Sequence, residues 1–217
     1  MSDALPNYFD QSAADWDVEP RRVELAKAVG KAVLRQVQPT REMDVLDYGC
    51  GTGLLGLFLL PCVRSVTGAD SSEGMLRVLE DKIRSGGLQR MQATKLDLLH
   101  ESPPEARYHL IVANMVLHHV DRIEVLLAAF YRLLQPGGYL AIADLDPEPG
   151  LFHGPEVAPS VYHHGFDRGV LMNFLRQAGF INPTDVTAHI IRKPITGGDM
   201  REFTVFLITT ISTSKEE

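Results

Sequence analysis

Cysteine is scarce in this chain of 217 residues, which holds two. A disulfide framework is thereby excluded as the source of stability. Long apolar runs are missing too. None approaches the roughly 20 residues needed to span a bilayer. Basic residues are outnumbered, with 21 Lys and Arg against 28 Asp and Glu and a net charge of -7. That balance opposes binding a phosphate backbone by bulk electrostatics, so no nucleic-acid partner is expected. Met1 to Asn7 carries neither the basic nor the apolar region of a signal peptide. No internal repeat or low-complexity tract is present. What remains is ordinary globular composition, 45% hydrophobic and 23% charged. It suits one α/β domain, residues 1–217, in a reducing cytoplasm; its oligomeric state is not specified by these features.

The informative stretch is Val45 to Gly53. A hydrophobic strand ends in Asp47 and breaks into a turn with Gly49, Gly51 and Gly53 at alternate positions. Leu54 to Leu60 then opens an apolar helix. Glycines let the turn be sharp and let a ligand lie against bare main chain. The helix start offers free N–H groups to a ligand's negative end. Gly51 to Gly56 formally matches the dinucleotide fingerprint G-x-G-x-x-G. The Asp47 carboxylate argues against a pyrophosphate here. It suits S-adenosylmethionine, which has an ammonium, a sulfonium and one carboxylate, and no phosphate.

Asp47-Tyr48-Gly49-Cys50-Gly51-Thr52-Gly53 resembles motif I, D/E-x-G-x-G-x-G, of the class I S-adenosylmethionine-dependent methyltransferases. Later signals resemble that family in order. Ser65 to Asp70 is a second strand ending in an acid. Leu96-Asp97-Leu98 resembles the adenine-side motif. Leu110 to His119 resembles the fourth strand and its active-site edge, and Leu134 to Leu140 the L-x-P-G-G-x-L turn. Tyr8 to Asp17 resembles the Y-F-D-x-x-A-x-x-W/Y-D segment of many small-molecule members. The resemblance implies a Rossmann-like, doubly wound, seven-stranded sheet. It would be mostly parallel with an antiparallel last strand and helices on both faces. It also implies S-adenosylmethionine as cofactor and S-adenosylhomocysteine as product.

The resemblance places the cofactor against Asp47, Gly49, Cys50, Gly51, Gly53, Asp70, Ser71, Met75, Asp97, Leu98, Asn114 and Met115. Asp70 can accept from both ribose hydroxyls, or simply cap the next helix. Asp97 can accept from the adenine amino group while Leu98 offers its N–H. A cation over Tyr8 or Trp16 would gain from the ring face, although these aromatics also suit plain core packing. The chain lacks the N/D-P-P-Y/F motif of base amino-methyltransferases and the Pro-Cys nucleophile of cytosine C5 enzymes. A small-molecule acceptor is therefore expected, methylated by in-line displacement. The alternative is a non-catalytic binder of S-adenosylmethionine or S-adenosylhomocysteine, acting as a sensor or partner subunit.

His118 and His119 are the candidate catalytic pair, either being able to act as general base. Being adjacent, they are expected to point in different directions. His153, His163 and His164 have no acid or cysteine at ligand spacing, so no metal is expected. The pattern predicts strands near 43–48, 64–69, 91–96, 108–113, 139–144, 186–191 and 202–211. It predicts helices from Pro20, over 53–60, after Ser71 or Ser72, after Asp121, and from Asp167 to Ala178. Two segments fall outside this rhythm: the start of the N-terminal helical segment 1–38, and a proline-rich insert over 145–166. Both are expected to cover the substrate site.

Overall fold

The computed structural model describes residues 8–195 and 197–213; the reading of Met1 to Asn7 falls outside them. Seven strands form one sheet in the order β3-β2-β1-β4-β5-β7-β6. They are β1 (Asp44–Tyr48), β2 (Ser65–Asp70), β3 (Met91–Lys95), β4 (Tyr108–Asn114), β5 (Leu134–Leu145), β6 (Phe180–Pro194) and β7 (Met200–Ser212). The first five pair in parallel, and β7 runs antiparallel to both β5 and β6. This is the expected Rossmann-like sheet.

Among the described residues six α-helices accompany it: α1 (Tyr8–Ser12), α2 (Pro20–Gln36), α3 (Leu54–Leu59), α4 (Glu73–Gly86), α5 (Ile123–Leu133) and α6 (Arg168–Gln177). Strand alternation divides the core into two layers. Val45, Leu110, Val112, Val205 and Leu207 share one layer with Val29 and Val33 of α2, Leu55 and Leu59 of α3, and Leu79 of α4. Leu46, Ile111, Ile142, Phe206 and Ile208 share the other with Leu126 and Phe130 of α5 and Leu171 and Leu175 of α6. Leu110 to Ala113 are each at most 1% exposed, as a strand covered on both faces requires.

Local chemistry sets the helix ends. Pro20 opens α2. Ser72 caps α4 by accepting from the Met75 N–H, and Gly87 ends it in the left-handed region. Asp167 caps α6 through the Val170 N–H. Pro61 closes α3 in a 3₁₀ turn. Asp121 does not cap α5. Arg122 holds that position without a side-chain bond, and the Asp121 carboxylate lies 3.7 Å from the Arg122 guanidinium instead.

β6 is much longer than its apolar alternation suggests, whereas β7 extends the expected 202–211 by only a few residues. β6 is an edge strand with register shifts at Ile181/Thr184 and Thr187/His189. Asn182 takes φ 52° at the first shift, beside Pro183, which is tolerated on an edge. Bulges move the alternation out of phase, so the pattern reads as broken where the strand continues.

Candidate active site

A cavity of about 630 Å³ opens at the carboxyl ends of β1, β2, β3 and β4. In open α/β sheets ligands gather there, where strand order reverses. Asp47, Gly49, Cys50, Gly51, Asp70, Ser71, Met75, Asp97, Asn114, Met115, His118, His119, Tyr8 and Trp16 all line it.

The turn after β1 is built for close approach. Gly49, Gly51 and Gly53 take φ of 65°, 53° and 84°, a region other residues resist. Their reasons differ. A Cβ on Gly49 would fall 2.3 Å from Val116, and one on Gly53 would fall 2.5 Å from Leu79. A Cβ on Gly51 would meet only the Met75 sulfur and the Trp16 ring nitrogen, both at 3.9 Å. Gly51 thus borders open cavity, whereas Gly53 packs on α4 and lies outside the lining.

Carboxylates surround the turn. Asp70 accepts from the Gly51 and Ser72 N–H groups, each at 2.8 Å. Burial raises its pKa, against these N–H donors. Asp47 is buried and accepts the Gly56 N–H at 2.8 Å. Burial pushes it up to about 7, against that bond and helped by repulsion from Asp70. Asp97 sits at the rim, where it takes the Leu99 N–H at 3.0 Å and His100 Nδ1 at 2.8 Å. Leu98 departs from its expected role. Its side chain is core, and its N–H donates to the Tyr48 hydroxyl at 3.3 Å. The Cys50 thiol is raised well above its ordinary range by burial and by Asp47 and Asp70.

At the far side, Asn114 Oδ1 is buried without a hydrogen-bond partner. Met115, the next residue, is held at φ 59°. A non-glycine residue there stores strain, which clusters at ligand sites. The 3₁₀ turn Leu117–His119 follows. It brings the two histidine rings together, with centroids 4.2 Å apart, contrary to the expectation that they diverge. His118 Nδ1 lies 2.7 Å from Asp144 Oδ1, with side-chain exposures of 1% and 0%. His119 Nδ1 donates to the Ser160 carbonyl at 2.8 Å.

His153 joins them, its centroid 4.9 Å from His118 and 5.3 Å from His119. Burial and the neighbouring rings lower His119 to about 4 and His153 to about 3. Both rings are therefore neutral near pH 7. His163 and His164 stay apart: His163 Nε2 meets the Val120 carbonyl at 2.9 Å, and His164 lies 3.6 Å from Glu148.

The N-terminal segment closes one side. Asp10 accepts from the Ser72 hydroxyl at 2.7 Å and the Gly74 N–H at 2.8 Å. Asp17 pairs with Lys82 and accepts from the Thr52 hydroxyl. The Trp16 ring is covered by the chain's own cation, with the Arg22 guanidinium 3.6 Å from its centroid. Phe9 meets His119 edge-on at 5.2 Å.

Sequence reasoning missed Asp144, Phe9 and the recruitment of His153. Asp144 had a signal. Asn114 pairs with Ala143 in register, so a histidine just after β4 stands beside the end of β5.

The sequence profile described as a methyltransferase domain matches residues 21–182. An uncharacterized methyltransferase of Schizosaccharomyces pombe is 30% identical over 153 residues, 64% of this chain and 54% of its own. The chain spans about half the length of the curated relatives it first matches. A SAM-dependent methyltransferase from Aquifex aeolicus shares the fold at TM-score 0.66 and 21% identity, over 93% of this chain and 97% of that one. Phosphoethanolamine N-methyltransferase 2 of Haemonchus contortus, solved with S-adenosyl-L-methionine, shares it at TM-score 0.68 and 14% identity. The match covers 95% of this chain and 60% of that one.

Proposed function

The chain belongs to the methyltransferase-domain family, and from that premise we propose that it transfers a methyl group from S-adenosylmethionine to a small-molecule acceptor. One observation carries the reading. The Gly51 turn borders open cavity, with Asp70 fixed against it and buried acceptors of Asp47 and Asn114 nearby. Unsatisfied or half-used oxygens beside bare backbone fit a ligand that brings hydroxyls and an ammonium.

When bound, S-adenosylmethionine supplies an electrophilic methyl group on a sulfonium. The chain's residues would hold and align the reactants. Asp70, with Ser71 beside it, accepts ribose hydroxyls. Asp47 and Asn114 accept from the ammonium. Asp97 accepts at the adenine end, and Met75 and Tyr8 pack against the cofactor. The acceptor enters between the cofactor site and His118, His119 and His153. Residues 8–18 and the insert 145–166 exclude water from it. The lone pairs of His118 and His119 serve the acceptor, by taking a proton or by holding a cation.

Calorimetry with S-adenosylhomocysteine and with NAD tests the reading. Micromolar binding of the first and far weaker binding of the second is expected. Comparable NAD binding sinks it. Tight binding without S-adenosylhomocysteine formation against a broad pool of small acceptors favours a sensor.

A further inference from the structure

We propose that His118, His119 and His153 bind one divalent transition-metal ion of the zinc type, open on its cavity side to an oxygen or sulfur of the methyl acceptor. The acceptor's place on the ion rests on the methyl-transfer reading; the ion site stands without it.

Each histidine offers a ring nitrogen, and these three atoms lie within 4.8 Å of one another. Tetrahedral coordination at a Zn–N length of about 2.0–2.1 Å needs them roughly 3.4 Å apart, so modest ring rotation closes the site. Tautomers are already set. The Ser160 carbonyl can only accept, so His119 carries its proton on Nδ1. The Asp144 carboxylate fixes the same proton on His118. His119 then keeps a free lone pair on Nε2, and Nε2 is the ring nitrogen of His118 left over from the Asp144 carboxylate. Holding one nitrogen on a carboxylate or backbone carbonyl is how metal-binding histidines are oriented.

His153 supplies the independent sign. Its Nε2 is buried with no hydrogen-bond partner. A histidine retained only for packing would be expected to satisfy that atom. Here three rings converge in a lined cavity, and one of them leaves a polar nitrogen bare.

The donor set chooses the ion. Three imidazoles without thiolate or carboxylate suit Zn²⁺, Co²⁺, Ni²⁺ or Cu²⁺, and do not suit Mg²⁺ or Ca²⁺. Three protein ligands with a free fourth position is the arrangement of catalytic zinc. One lone pair cannot both bind an ion and take a proton, so His118 acts here as ligand. Asp144 is then a positioning residue, acting through His118.

The test uses the full chain, stripped with a chelator and titrated with Zn²⁺ alone by calorimetry, then with Co²⁺ by visible absorption. One ion per chain is expected, with the intense bands of four-coordinate Co²⁺. His153→Ala, on the partly exposed insert, should abolish binding while circular dichroism stays unchanged. Asp144→Asn should weaken it by about 10–100-fold. Paired His163→Ala and His164→Ala changes should leave it intact. Absence of saturable binding, or full binding by His153→Ala, overturns the site. S-adenosylhomocysteine titration in chelator separates the two readings. Cofactor binding without zinc binding overturns the metal site alone. Zinc binding without cofactor binding overturns the acceptor's place on the ion and the methyl-transfer reading.

Discussion

The carboxylate of Asp70 accepts the N–H of Gly51 at 2.8 Å and so ties the end of β2 to the turn after β1. The same side chain lines the cavity, so one residue shapes the turn and faces the ligand. Asp70→Ala should weaken S-adenosylhomocysteine binding by about 1.5–3 kcal/mol, through lost hydrogen bonds to a charged group. Calorimetry on the folded variant checks this; unchanged affinity removes Asp70 from the site.

Gly51 and Gly53 should separate ligand space from packing space. Gly51→Val puts a branched side chain into open cavity and should abolish cofactor binding with the fold preserved, at a cost of roughly 1–3 kcal/mol for its φ. Gly53→Val drives into Leu79 and should lower the melting temperature more. Circular dichroism and calorimetry on each variant distinguish the two. Full cofactor affinity in Gly51→Val would make that turn purely structural.

Asp47 gives a pH signature. Its pKa is raised to about 7 in the fold, against about 3.9 in an unfolded chain. The unfolded state therefore loses this proton first, and Asp47 makes the cofactor-free fold progressively less stable as pH rises from about 4 to about 7. The loss approaches on the order of 4 kcal/mol if water does not reach the carboxylate. Urea unfolding at pH 5 and pH 7.5 should show Asp47→Asn gaining on the parent chain at the higher pH. A ligand ammonium favours the ionised form, so cofactor binding near pH 6 should release protons. Calorimetry in buffers of different ionisation enthalpy measures that release. No buffer dependence would place the ammonium elsewhere.

The N-terminal segment is docked on α4 through Asp10 and on the glycine turn through Asp17. Removing the first seventeen residues should cut turnover sharply and leave the sheet folded, because among the described residues 8–17 only Ala13 is buried in the core. Hydrogen exchange should show residues 8–18 and 145–166 gaining protection when cofactor and acceptor bind. Equal protection in both states would make them ordinary surface packing.

The sheet was legible because its central strands are short, continuously buried runs and its turns carry their own chemistry. Ser72 and Asp167 cap helices where an oxygen precedes an apolar period. Asp121 misled because a neighbouring Arg122 competes for its carboxylate. β6 was only half visible, since bulges shift its phase. The glycine turn was legible from its spacing, and Asp70 as the acid that ends the second strand where the methyltransferase resemblance implies one. His153 was not, because a loop's path is set by contacts with no sequence period. Trp16 looked open to a ligand cation, and nothing local to it revealed that Arg22, a turn into α2, would cover the ring.

Helix α2 packs against β6 and β7, strands that follow it by more than a hundred residues. During synthesis, the apolar face of Leu25, Val29 and Val33 emerges long before half of its partner surface exists. Covered early by α3, the helix keeps the rest of that face open to chaperone capture until the C-terminal hairpin is made. The β1–β4 portion is made earlier and can complete its own strand pairings in the meantime. Completion of the hairpin thus acts as a timer. A ribosome stalled before β7 should hold a chain with a formed glycine turn and an α2 packed on α3 but open on its hairpin side.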